Sequence, residues 1–272
     1  MGIYLGVDNA AHKVSKLYVG INGQARRVTK VYLGVNGAAR LVYSYGVPVS
    51  NLGVGNTVQI QVNGTYRNFL IVHQGNPNTS IYDGSCNGTW LLMQDIYMNG
   101  QFNTSNSTPY WNTWVHSYLN GTFLNLIEAN VRNQIKQAII PWNENGSSSA
   151  SKNHIGAGGI SAKVFLLSHL ELGYKHVYLT TKYGSVLSYF NGCAAKGADA
   201  KRVAYLNGRA TEWWSRSPSS YNYEYYTQTD GGGDISSSDL VSAYPSKSKG
   251  IRPALILPSD VCIDESTHRI VT

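Results

Sequence analysis

A seven-residue segment returns every 14 positions at the start of this chain: Ile3-Tyr4-Leu5-Gly6-Val7-Asp8-Asn9, then Leu17-Tyr18-Val19-Gly20-Ile21-Asn22-Gly23, then Val31-Tyr32-Leu33-Gly34-Val35-Asn36-Gly37. Alternating apolar positions read as strand, and Asn-Gly supplies two consecutive residues that tolerate positive φ, the requirement of a two-residue hairpin turn. The arms Ala25-Arg26-Arg27-Val28 and Ala39-Arg40-Leu41-Val42 read as return strands, so each repeat is expected to be a small β-hairpin. A hairpin of this size cannot hide its apolar face, and three together remain marginal. Residues 1–45 are therefore expected to serve oligomerisation or attachment to a larger assembly, with a homotrimer through residues 1–44 as the specific expectation. A self-contained sheet packed on the rest of the chain is the competing reading.

The formal charge of +7 raises the question of a nucleic-acid partner. Its distribution answers against one. Lys13, Lys16, Arg26, Arg27, Lys30 and Arg40 face Asp8 alone in residues 1–44, which leaves only two of the seven charges for the other 228 residues. No basic stripe is left to follow a phosphate backbone.

From Gly46 onward the pattern is that of one larger domain, 46–272. Val58-Gln59-Ile60-Gln61-Val62 alternates as a half-buried strand, Asn63-Gly64 turns it, and Tyr66 to His73 returns. Thr89 to Ile96 reads as a more buried strand. Asn112 caps a first helix carrying Trp114, Val115, Tyr118 and Leu119, which Asn120-Gly121 ends; Phe123, Leu124, Ile127, Val131 and Ile135 mark a second. Residues 144–153 read as a surface loop. Val164 to Ser168, Ala254 to Leu257 and Val261 to Ile263 complete an α+β pattern.

The last quarter is compositionally distinct. Trp213-Trp214-Ser215-Arg216-Ser217-Pro218 opens, and Gly250-Ile251-Arg252-Pro253-Ala254-Leu255 closes, a segment of residues 219–249 that holds five Tyr, eight Ser and three Gly. Such a mixture cannot build a core. It suits a binding surface, because Tyr offers a large stiff contact at low entropy cost while Ser, Gly and Asn adapt their hydrogen bonds. Alternation at Tyr221, Tyr223 and Tyr225 would place three rings on one strand face. That face could equally pack on the domain's own core. Glu224, Asp230, Asp234 and Asp239 outnumber Lys247 and Lys249, so the segment is slightly acidic and unsuited to phosphate.

Several motifs carry a family likeness. Trp111 to Phe123 with its Tyr-Leu-Asn-Gly-Thr-Phe ending, Ile140-Pro141-Trp142, Val164-Phe165-Leu166-Leu167-Ser168 with Glu171, and the two motifs bordering the Tyr-rich segment resemble, in order, a bacterial and prophage domain family across residues 50–260. That family is similar to the C-type-lectin fold, to the formylglycine-generating enzyme domain, and to receptor-binding tips varied by diversity-generating retroelements. The hairpin repeats resemble N-terminal segments of phage tail and prophage adhesion proteins. The resemblance implies a C-type-lectin-like domain preceded by a β-hairpin repeat region, in a phage or prophage tail protein made in the bacterial cytoplasm and carried on the virion. It implies binding to a bacterial surface glycan or protein and contact with other tail subunits.

In such tips the variable residues lie between a Trp-rich strand and a Gly-x-Arg-Pro strand. The expected ligand contacts are accordingly Tyr221, Asn222, Tyr223, Glu224, Tyr225, Tyr226, Gln228, Asp230, Asp234, Ser236, Asp239 and Tyr244. Trp213 and Trp214 on adjacent strand positions face opposite ways. Arg216 and Arg252 are expected to be structural, their guanidinium groups held by carbonyls or carboxylates that pin the loop's ends together.

Catalytic signatures are missing. No Gly-x-Ser-x-Gly elbow, His-Glu-x-x-His pair or phosphate loop occurs, and the seven histidines are scattered. The formylglycine-generating relatives use a close reactive cysteine pair, which Cys86, Cys193 and Cys262 do not reproduce. A carbohydrate-active enzyme would need two carboxylates across a cleft, and nothing in the sequence pairs Glu212, Glu224, Asp230, Asp234 or Asp239. No enzyme, no metal, no cofactor and no membrane insertion are expected; a virion decoration protein without receptor binding, or a carbohydrate-active enzyme, is the alternative.

Overall fold

Each repeat folds back on itself. In the computed structural model, which describes residues 4–7, 10–14, 17–28, 30–44, 46–104, 109–143, 153–174, 183–195, 197–218, 226–229, 232, 242–243 and 245–271, the strands Tyr4–Val7 and Ala10–Lys13 pair antiparallel, as do Leu17–Ile21 with Gln24–Val28 and Lys30–Val35 with Ala38–Ser44. Asn22 and Gly23 turn at φ 51° and 74°, and Asn36 and Gly37 at 51° and 75°, the left-handed pair that a two-residue hairpin demands. Tyr32 and Leu33 point to opposite faces of their ribbon, yet are 52% and 56% exposed. Neither face is therefore covered. Tyr4, Val7, Tyr18, Val19, Ile21 and Val35 are exposed in the same way.

The body beyond Gly46 is built on two five-stranded sheets. The first runs in the spatial order Val164–Phe165, Ala254–Leu257, Gly88–Met93, Thr65–Gly75, Thr57–Val62, all antiparallel. Its outermost strand, Thr57–Val62, alternates half-buried and buried positions, which is the pattern of Val58, Ile60 and Val62 facing a core. Gly88–Met93 lies in the middle and is buried along its whole length, as a strand covered on both faces must be. Gly88 is required there: a Cβ would meet the Leu257 carbonyl oxygen at 2.4 Å.

The second sheet runs Met98–Gln101, Ser248–Ile251, Trp213–Pro218, Tyr226–Thr229, Ser242–Ala243. Trp213 pairs with Gly250 in parallel; the other ladders are antiparallel. Around the sheets, two buried aromatic triplets, Tyr82–Trp90–Phe165 and Tyr110–Phe102–Trp214, make edge-on and tilted contacts with centroids 5.5 to 5.9 Å apart.

The helical reading needs correction. Helix Trp114–Leu126 is a single run of 13 residues that passes through Asn120-Gly121 as a π-turn over Leu119–Phe123. Thr113, not Asn112, caps it, its side chain accepting from the His116 N–H. The run survives because Asn120 is engaged elsewhere. Its Oδ1 accepts from Lys163 and Val164 N–H at 2.9 and 3.2 Å, and its Nδ2 donates to the Val164 carbonyl at 2.9 Å and to the His116 carbonyl at 3.1 Å. The amide thus acts as a neighbouring strand for Val164–Phe165. The second expected helix shrinks to Ala129–Arg132, and the strand expected over Val164 to Ser168 pairs only at Val164–Phe165.

With 42% strand and one main helix, the fold is α+β weighted towards β. The loop expected at 144–153 falls almost wholly outside the described residues; Asn153 belongs to a two-residue ladder with Trp142–Asn143. All three cysteines are free. No described helix is long and apolar enough to cross a membrane.

Anchors of the Tyr-rich segment

Trp213 and Trp214 are both fully buried, on opposite faces of their strand. The Trp213 indole N–H donates to the Arg202 carbonyl at 3.0 Å, and the Trp214 indole N–H donates to the Gly100 carbonyl at 3.0 Å. Each ring therefore has its apolar body in the core and its one polar atom satisfied, which fixes the start of the segment from two sides.

Two residues on, Arg216 is 2% exposed and faces Glu171, which is wholly buried. Its Nη1 and Nη2 bond Oε2 and Oε1 at 2.6 and 2.5 Å, a bidentate fork that only a planar guanidinium makes. Nη1 also donates to the Leu166 carbonyl and Nε to that of Pro141. Burial by itself would lower the Arg216 pKa; the adjoining Glu171 more than offsets this and raises it. Glu171 takes further bonds from the Tyr82 hydroxyl at 2.8 Å and the Ser168 N–H at 2.9 Å, while the Ser168 hydroxyl accepts from the Glu171 N–H at 3.2 Å. Ser168 and Glu171 thus form the reciprocal arrangement of a capping box. Burial, with Glu171 adding to it, drives the Tyr82 phenol well above its usual range, and burial takes Tyr110 to about 12. Neither ionises near neutrality.

At the far end Arg252 is anchored differently. Its Nε and Nη2 donate to the Met93 and Gln94 carbonyls at 2.8 and 3.0 Å, and its guanidinium lies 4.9 Å over the Trp213 ring. Among the described residues Nη1 has no hydrogen-bond partner. Burial pulls its pKa down to about 10, against the weaker opposing pull of Tyr189 and Asp95.

The two arginines do not touch a common partner, so backbone joins the ends they anchor. Gly250 N–H donates to the Glu212 carbonyl at 2.8 Å, beside the parallel Trp213–Gly250 bridge. Glycine is needed at this crossing, since a Cβ on Gly250 would lie 2.7 Å from Ile96 and 2.8 Å from the Glu212 oxygen.

Of the expected ligand contacts, Tyr226 and Gln228 fall on the strand Tyr226–Thr229, which pairs with both Trp213–Pro218 and Ser242–Ala243. Tyr221, Asn222, Tyr223, Glu224, Tyr225, Asp230, Asp234, Ser236, Asp239 and Tyr244 lie outside the described residues. Three anchors were missed from sequence. Glu171 was signalled by the Ser168-x-x-Glu171 spacing. Tyr82 had no local signal. Arg202, fully buried and bonded through all three guanidinium nitrogens to the carbonyls of Leu172, Gly197 and Ala194, had none either. Among the described residues no group of three His, Cys, Asp or Glu side chains is placed to hold a metal ion.

A family model described as a domain of unknown function (DUF6273) matches residues 87–259, more than half of the chain. No curated protein matches. No solved structure matches either.

Proposed function

The chain belongs to this family of domains of unknown function (DUF6273), and we propose that it is a phage or prophage tail-associated receptor-binding protein whose C-type-lectin-like domain grips a bacterial surface glycan or protein. The observation that carries the reading is the double anchorage of residues 219–249. The Trp-rich strand and the Gly-Ile-Arg-Pro strand are paired neighbours in one sheet, the first fixed by two buried indoles and the Arg216 guanidinium, the second by the buried Arg252 guanidinium. Between them runs a segment too poor in aliphatic residues to form a core and rich in the residue types that recognition loops use. A rigid frame around an adaptable interior lowers the ordering cost of binding.

The hairpins fit the same reading. Their uncovered apolar faces suit a homotrimeric stem or attachment to other tail subunits, with the Tyr-rich segment carried on the body beyond. Cell-binding measurements on a candidate host with Tyr223→Ala and Tyr225→Ala test the proposal. Loss of binding with the fold retained supports it; undiminished binding by the double variant refutes it and favours a decoration protein.

A further inference from the structure

An open cleft of about 530 Å³ lies on the body, lined in part by Ser248 and Lys249 at the C-terminal end of the segment 219–249. This volume is in the range of small-ligand sites. The walls come from three places: Asn99 on the strand Met98–Gln101, the hairpin Tyr205–Leu206 with Arg209–Ala210, and Glu212 with Ser248 and Lys249 beside the crossing of the second sheet.

Each wall is fixed by backbone. Ile96 N–H donates to the Tyr205 carbonyl at 2.9 Å, Thr211 N–H to that of Ala204 at 3.0 Å, and Gly250 N–H to that of Glu212 at 2.8 Å. Asn207 and Gly208 turn the hairpin at φ 51° and 79°, again the left-handed pair of a tight turn. The Thr211 hydroxyl ties down the Arg209 carbonyl at 2.8 Å. The cleft is therefore pre-formed.

Its charges do not cancel. Lys249 is engaged by Glu212 in an ion pair. Arg209, exposed at the rim, has no carboxylate within ion-pair distance among the described residues, so its guanidinium is the uncompensated group. The Asn99 and Asn207 amides and the Ser248 hydroxyl present donors and acceptors together on one surface, which is what hydroxyl groups need. Leu206 and Ala210 add an apolar patch that suits the C–H face of a sugar ring.

We infer that this cleft is a saccharide site for a carboxylate-bearing sugar, with Arg209 taking the carboxylate and the two amides and Ser248 taking ring hydroxyls. The inference does not depend on what the Tyr-rich segment binds. Trigalacturonic acid and its fully methyl-esterified form, equal in length but differing in charge, are the probes, titrated calorimetrically into the full chain. The acid should bind, with the ester weaker by roughly tenfold, the worth of one charge-assisted hydrogen-bonded contact. Arg209→Ala should weaken the acid by about the same factor and leave the ester unchanged. Because Arg209 is exposed and its bonds are made by its backbone, the variant should fold as the native chain does. No binding of the acid at millimolar concentration, equal binding of acid and ester, or native affinity in Arg209→Ala would each overturn the inference. The Tyr223 and Tyr225 variants are read by cell binding and Arg209→Ala by titration with the acid and its ester, so failure of the receptor proposal and failure of this one are read in separate experiments.

Discussion

Arg216 and Arg252 are both buried cations, but removing them should not cost the same. Arg216→Met leaves the Glu171 carboxylate in the core without its counter-ion, a change of about 3–5 kcal/mol. Arg252→Met takes away a cation that burial already disfavours and strands only the Met93 and Gln94 carbonyls, for about 1–3 kcal/mol. Urea denaturation of the two variants gives the order directly, and an Arg252 variant as damaged as the Arg216 variant would contradict it. That an arginine flanked by Trp213, Trp214 and Pro218 must be paired followed from the sequence, because an unpaired buried cation is costly. The identity of the partner did not follow. Glu171 is 45 residues away, and it stood in the sequence only within a motif of the family likeness, with no role assigned to its carboxylate. The expected ligand contacts stand differently, since their chemistry was legible from composition while most of their positions lie outside what the structure describes.

At the level of elements, short-range signals translated well and long-range pairing did not. The Asn-Gly turns and the alternation of Val58, Ile60 and Val62 specify hairpins because turn geometry and side-chain period act over a few residues. Asn120-Gly121 misled for the opposite reason: a local stop signal was overridden by bonds to Lys163 and Val164, more than forty residues on. His73 shows the same kind of long tie. Its Nδ1 accepts from the Ser188 N–H at 3.3 Å and lies 2.8 Å from the Ser188 hydroxyl, joining the strand Thr65–Gly75 to the turn Ser188–Phe190. Protonation would turn that acceptor into a donor. Burial lowers the His73 pKa below its usual 6.5, with the Asn76 backbone bond and Glu171 opposing. On acidification the unfolded chain therefore takes up this proton first, and the stability His73 confers is lost as pH falls from 6.5 towards the depressed native value. His116, lowered by burial, acts in the same sense. Unfolded carboxylates titrate nearer pH 4, so urea midpoints at about pH 7.5 and 5.5 isolate the histidines. The native chain should lose stability between those two, and His73→Gln should lose less; equal losses would remove His73 from the account.

At the scale of the whole molecule, the family match and the folding unit do not coincide. The match begins at residue 87, yet Thr57–Val62 and Thr65–Gly75 are two of the five strands of the first sheet, and Val58, Ile60, Phe69, Ile71 and Val72 on them are wholly buried. Val47–Pro48 pairs with Cys262–Ile263, and Val49 N–H donates to the Val261 carbonyl at 2.7 Å, so the body is closed by segments on both sides of the matched span. Each buried side chain of this size contributes about 1.5–3 kcal/mol, and five exceed much of the 5–15 kcal/mol by which domains are stable. A chain of residues 87–259 should therefore fail to fold. Removing residues 1–45 is a different operation, because the side chains lost, such as Tyr18, Ile21 and Leu33, are already exposed. We expect residues 46–272 to unfold in a single transition at close to the midpoint of the full chain. If the hairpins form the stem, light scattering should give a trimer for the full chain and a monomer for residues 46–272. A shortened chain that still runs as a trimer would move the interface onto the body, and a full chain that runs as a monomer would leave the apolar ribbons to a different protein.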